Sequence, residues 1–210
     1  MDDTTRVRRL LQLAGTTYAI QAGIRLKNTP MPLFQLLVLS MLAAKPIAAD
    51  TATKAAAELW KAGLRTPAAV LEAKRHTMID AFGRAGYARY DESSADRLHD
   101  MAGKVDSDYF GDMRRLAAVA DRRVAGAMRR LEEFTGIGDT GASIFLREVQ
   151  DVWPWVRPYF DERALAAARR LGLPPDPEKL GALAPQTNAG LAAALVRVSL
   201  DDDLSARITG

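Results

Sequence analysis

Leu131-Glu132-Glu133-Phe134-Thr135-Gly136-Ile137-Gly138-Asp139-Thr140-Gly141-Ala142 is the stretch on which the reading of this chain turns. A helical stripe enters it, Gly-Ile-Gly breaks the stripe, and helical spacing resumes at about Thr140. Two glycines around one aliphatic residue let the backbone turn sharply with its N–H groups outward. Such N–H groups, joined to the positive end of the following helix, suit a phosphate oxygen. Ile137 between them would pin the turn to the core. This is the logic of a helix–hairpin–helix clamp on a DNA backbone; a plain turn between two helices accounts for the same residues.

Upstream, Leu116, Ala120, Val124, Ala127, Met128, Leu131 and Phe134 draw one apolar stripe. Arg122, Arg123, Arg129, Arg130, Glu132 and Glu133 lie largely opposite it. Farther back, Phe34, Leu37, Val38, Met41 and Leu42 recur at three and four, and Leu33, Leu36 and Leu39 fill the rest of the circumference. A helix apolar on most faces is central and buried. Downstream come Ala142, Phe145, Leu146 and Val149, then Leu165, Ala168 and Leu171 on a further helix, and a helix from Ala189 to Val198. Asn28-Thr29-Pro30, Asp50-Thr51, Thr66-Pro67 and Pro174-Pro175-Asp176-Pro177 punctuate these stripes in the manner of helix starts and connectors. No stretch alternates convincingly with period two, so the spacing predicts an all-α chain of eight to ten short helices.

Composition narrows the chemistry. The 210 residues contain no cysteine and two histidines, His76 and His99. Zero cysteines exclude a disulfide scaffold, a thiolate nucleophile and a thiolate-held iron–sulfur cluster. The histidines have no metal-ligand spacing, so no metal and no cofactor is expected. A hydrophobic fraction of 48% beside 26% charged residues suits a packed core. The net charge is +3, and the cations are mostly arginine, whose planar fork suits phosphate. The longest apolar run, Pro32 to Ala44, falls short of the ~18 residues of a membrane span. Arg6, Arg8 and Arg9 precede no secretory core, and the chain reads as soluble and cytoplasmic.

Phe134 to Ala142 resembles the hairpin signature of the endonuclease III-like, HhH-GPD family of DNA glycosylases: a hydrophobic residue, Pro, Gly, Val, Gly, two variable positions, a small residue and Ala. Other blocks follow in the family's order. Leu33 to Leu42 is similar to its early buried helix, Ala48 to Trp60 to the next, and Thr66-Pro67-Ala68-Ala69-Val70-Leu71 and the Gly86-Tyr87 turn come after. Beyond the hairpin, Val152-Trp153-Pro154 precedes Asp161, which opens a helix ending in Arg169-Arg170-Leu171-Gly172. The resemblance covers roughly residues 30 to 172. It implies a helix–hairpin–helix glycosylase fold, with a six-helix core over 30–135 and a terminal helical annex from 1–29 and 136–210. Double-stranded DNA would be the partner.

The resemblance also assigns roles. Asp161 matches the carboxylate that assists base loss, either by opposing positive charge on the sugar or by activating water. An N-cap role for Asp161 is compatible with that one; Glu162 and Asp151 are alternatives. Gly136, Ile137, Gly138 and Thr140 would contact DNA. Lys45 stands where many members carry a glutamine that fills the gap left by the flipped base. Thr140 stands where bifunctional members carry the Schiff-base lysine, and Met41 where adenine-removing members carry a glutamate. The expectation is a monofunctional glycosylase of base excision repair without lyase activity. The alternative is the same fold retained as a catalytically inactive DNA-binding or protein-interaction module. Tyr87, Tyr90, Tyr109 and Phe110 could stack on an extruded base, but burial between helices is the simpler expectation for each.

Overall fold

The computed structural model describes residues 2–209, and among them there is no strand. The helices are α1 (Asp3–Ala14), α2 (Tyr18–Gln21), α3 (Pro30–Ala43), α4 (Ala49–Lys61), α5 (Pro67–Glu72), α6 (Arg75–Arg84) and α7 (Asp91–Tyr109), followed by α8 (Arg114–Val119), α9 (Val124–Glu132), α10 (Asp139–Val149), α11 (Glu162–Arg170), α12 (Pro177–Leu183), α13 (Asn188–Leu200) and α14 (Asp202–Thr209). They exceed the eight to ten expected because short pieces such as α2, α5 and α8 are too brief to show a period.

The chain divides into two compact units, Ala19–Phe145 and Met1–Tyr18 with Leu146–Gly210. The first is built on α3, buried at every position from Pro32 to Leu42. Its start follows from Thr29 in extended backbone with Pro30 in the first turn, where the missing N–H costs nothing. Helix α4 packs on α3, α6 on α4, and α7 on both α5 and α6. Thr66 caps α5, its hydroxyl accepting from the Ala69 N–H at 3.2 Å. The units depart from the expected 30–135 core because residues 19–29 are tied into it. Trp60 Nε1 donates to the Ala22 carbonyl at 3.1 Å, and Gln21 Nε2 donates to Asp50 Oδ1 at 2.6 Å.

The stripe from Leu116 to Phe134 is not one helix. Asp121 and Arg122 both take the left-handed region, at φ 53° and 50°, and separate α8 from α9. The turn closes with the Arg122 N–H on Ala117 O and the Arg123 N–H on Ala120 O, both 3.0 Å. Gly126 makes room for it: a Cβ there would stand 2.6 Å from Ala120 O.

In the second unit α1 and α11 both pack on α13, whose residues are buried from Asn188 to Val196 and again at Val198. Gly190 permits that contact, since a Cβ there would meet Thr187 Oγ1 at 2.6 Å and Gly15 O at 3.1 Å. Each helix start carries a side-chain cap: Asp2 for α1, Asp161 for α11, Asp176 for α12 and Thr187 for α13. Such caps satisfy amides that the first turn of a helix leaves open. Cysteine-free, the unit rests on helix packing and capping.

Candidate nucleic-acid interface

The hairpin joins α9 to α10. Phe134 N–H donates to Leu131 O at 3.1 Å, Ile137 N–H donates to Phe134 O at 2.9 Å, and Ala142 N–H donates to Gly138 O at 2.9 Å to begin α10. Gly136 supplies the turn, at φ 91°. Phe134 and Ile137 are buried, and Phe134 stacks on Tyr109 with ring centroids 6.0 Å apart. Thr135, Gly138, Asp139 and Thr140 are exposed. The apolar pair anchors the hairpin while its tip faces solvent.

The free donors are not the full set the motif predicts. Ile137 N–H is spent on Phe134 O, so Ile137 holds the hairpin by its side chain and offers no donor. Among the described residues, no protein atom accepts from the N–H groups of Gly136, Gly138, Asp139 or Thr140. Gly138, as the residue before α10, brings no side-chain oxygen to cap them. These unsatisfied amides and the helix dipole form one positive locus.

Lys45 lies just past α3, beside this locus. A Cβ on Gly141 would stand 3.6 Å from Ala44 Cβ and 3.4 Å from Ile137 Cδ1, so the end of α3 lies against the first turn of α10. Lys45 is half-buried, and burial, then the charge of Arg97, holds its ammonium below the usual lysine range. Arg97 comes from α7: a Cβ on Gly136 would meet Arg97 Cδ at 2.8 Å and Met41 Cγ at 3.4 Å. Arg97 drew no notice in the sequence because it lies far upstream of the hairpin and belongs to no motif there.

Asp161 belongs to the other unit. Its Oδ1 accepts from the Ala164 N–H at 2.9 Å and caps α11, and its Oδ2 pairs with Arg147. The two side chains are 12% and 4% exposed, so both carboxylate oxygens are engaged in a largely dry setting. Arg147 Nε has no hydrogen-bond partner. Gln150, fully buried, donates to Arg147 O at 3.0 Å and Tyr159 O at 2.9 Å and accepts from Tyr159 N–H at 2.9 Å. The alternative Asp151 is engaged as well: it pairs with Arg157 at 2.7 Å and accepts from the Thr187 hydroxyl at 2.9 Å. Glu162 is exposed on the first turn of α11.

The aromatic residues separate. Tyr87 and Tyr109 are buried, as expected, but Phe110 is 73% exposed. It ends α7 in the left-handed region at φ 53°, which swings it out under the Arg115 guanidinium, 4.6 Å from its ring centroid. Of the arginines near the hairpin, Arg114 pairs with Asp112 and Arg130 with Glu133. Arg122, Arg123 and Arg129 are exposed and in no ion pair among the described residues.

Among solved structures, the chain is similar to endonuclease III in a trapped DNA covalent intermediate, the estranged-adenine complex, with a TM-score of 0.50 and 15% identity. The match covers 94% of this chain and 86% of that one. The fold is endonuclease III-like. No protein-family model and no curated protein sequence matches the chain. The endonuclease III-like fold appears here without cysteine, so the second unit has no thiolate with which to hold a cluster. No described helix is long and apolar enough to cross a membrane.

Proposed function

We propose that this chain is an endonuclease III-like DNA glycosylase of base excision repair, binding duplex DNA and removing a base without lyase activity. The supporting observation is the set of acceptor-free N–H groups on Gly136, Gly138, Asp139 and Thr140 at the head of α10. A phosphate oxygen is the acceptor such a locus suits. With the strand held there, a base is extruded from the stack at a cost of a few kcal/mol, least at a damaged or mismatched pair. The C1′–N bond then breaks, a water oxygen takes C1′, and the base departs with a proton. Asp161 opposes the positive charge on the sugar or accepts the water's proton. Thr140 has no amine, so no imine forms and the strand is left intact.

The experiment is incubation of the protein with duplexes carrying single lesions, followed by alkali. Cleavage only after alkali, on at least one lesion, is the expected result. No cleavage on any lesion would remove the enzymatic reading, and activity undiminished in Asp161→Asn would remove Asp161 from the chemistry.

One observation favours a second reading, the same fold kept as a DNA-binding module. Arg147 offsets the Asp161 charge, and the Ala164 N–H occupies its other oxygen. That module binds duplex DNA with steep salt dependence, releases no base and is indifferent to Asp161→Asn.

A further inference from the structure

The hairpin has company that the motif does not include. Arg97 lies along Gly136 closely enough that a Cβ there would stand 2.8 Å from its Cδ, which fixes the stem of the side chain against the turn. Lys45 comes from the end of α3, one residue beyond Ala44, whose Cβ would stand 3.6 Å from a Cβ on Gly141 in the first turn of α10. Both are half-buried cations. Neither forms an ion pair with any described residue, whereas Arg75, Arg84, Arg114, Arg130, Arg147, Arg157, Lys61 and Lys104 all take acids.

We propose that Arg97 and Lys45 together form a seat for one phosphodiester of a nucleic-acid strand, adjoining the hairpin amides. This rests on the reading of the hairpin as a DNA contact. Two like charges brought together in part-buried surroundings repel one another and lose hydration. Burial, then the charge of Arg97, holds the Lys45 ammonium below the usual lysine range. The neighbouring phenol does not neutralise them: Tyr87 is buried, donating to Leu42 O and accepting from the Ser94 hydroxyl, both at 3.4 Å. An anion from outside removes the repulsion and finds two kinds of donor, a planar fork and a mobile ammonium. A bridging phosphodiester carries the single negative charge and paired oxygens this arrangement suits. Gly136 thus serves two purposes, turning the hairpin and admitting the Arg97 stem.

The test uses the full chain, a fluorescent duplex and a titration repeated across salt concentrations, with Arg97→Gln, Lys45→Gln and the double variant. Seating one phosphate, the pair contributes about 0.9 to the slope of log affinity against log salt, and the double variant loses that amount. Each single variant loses part of it, and all three melt at or above the wild-type temperature because a repulsion has gone. In a parallel NMR titration of the Lys45 ammonium, both Arg97→Gln and added duplex shift it upward. A double variant with the wild-type slope would overturn this inference and leave the hairpin reading standing. No salt-dependent duplex binding by the wild type would overturn both. Inorganic phosphate that shifts Lys45 as far as duplex does, at equal phosphate concentration, would make this a free-anion site and also overturn the proposal.

Discussion

Asp161 and Arg147 form a largely buried ion pair, and the same carboxylate caps α11. Removing one member of such a pair leaves the other charge without compensation, a cost of about 3 kcal/mol or more. Asp161→Asn keeps the cap yet strands the Arg147 guanidinium. Urea unfolding is expected to show that loss, and Asp161→Asn with Arg147→Met to recover most of it. A single variant as stable as wild type would show that the pair contributes nothing. The double variant also gives the glycosylase assay a folded background without the carboxylate.

Gly136→Ala and Gly138→Ala should part company. The first places a side chain at φ 91° and against the Arg97 stem, which costs about 1–2 kcal/mol and weakens duplex binding. The second meets no protein atom within 4 Å, so its melting temperature should stay at the wild-type value. Its methyl group would still crowd a phosphate at the exposed amides. Melting curves and duplex titrations on the two proteins decide this; unchanged DNA affinity in both would take the hairpin out of the DNA contact.

Lyase chemistry should be absent. Borohydride added during incubation with an abasic or lesion duplex is expected to trap no covalent adduct, because position 140 carries a hydroxyl. A trapped species on denaturing gels would require another amine, and Lys45 would be the first to replace by Gln.

Acid should weaken one surface link in a defined direction. Hydrogen bonds from Arg114 hold the Asp112 carboxyl below its usual 3.8, and the pair therefore stabilises the fold above the ordinary carboxylate range. The contribution fades as pH falls through that range to the lower folded value. Arg114 is half exposed, so solvent screening keeps the effect small. Asp112→Asn should lower the melting temperature at pH 7 and converge with wild type once pH falls below the lowered folded value of the Asp112 carboxyl.

Elements with a strong local signal were legible from residues alone. The all-apolar circumference of α3, the proline after Thr66 and the run ahead of Arg169 each mark a helix, and α13 extends from Asn188 to Leu200 around the expected 189–198. The α8–α9 break was invisible because Asp121 is only a weak signal for a left-handed turn, Arg122 is none, and the period of the stripe runs through them. The hairpin was legible as a motif, but which amides stay free depends on the Ile137–Phe134 bond, a matter of three-dimensional closure. Asp161 could be read as a cap from its place before Glu162. Its pairing with Arg147 could not, since no local rule links a residue in α10 to the start of α11. Arg97 shows the same limit: its meeting with Gly136 comes from the packed fold, not from spacing.

Helix α1 finds its packing partners, α13 and α14, at the far end of the chain. During synthesis it leaves the ribosome ahead of those partners and waits while residues 19–145 emerge, with Val7, Leu10 and Ala14 uncovered. Residues 19–145 can assemble around α3 during that interval, whereas the unit bearing Asp161 closes only once α13 has been released. A nascent chain stalled before Asn188 would therefore display a formed hairpin and an unpartnered α1, which makes α1 the segment on which chaperones and proteases would act first.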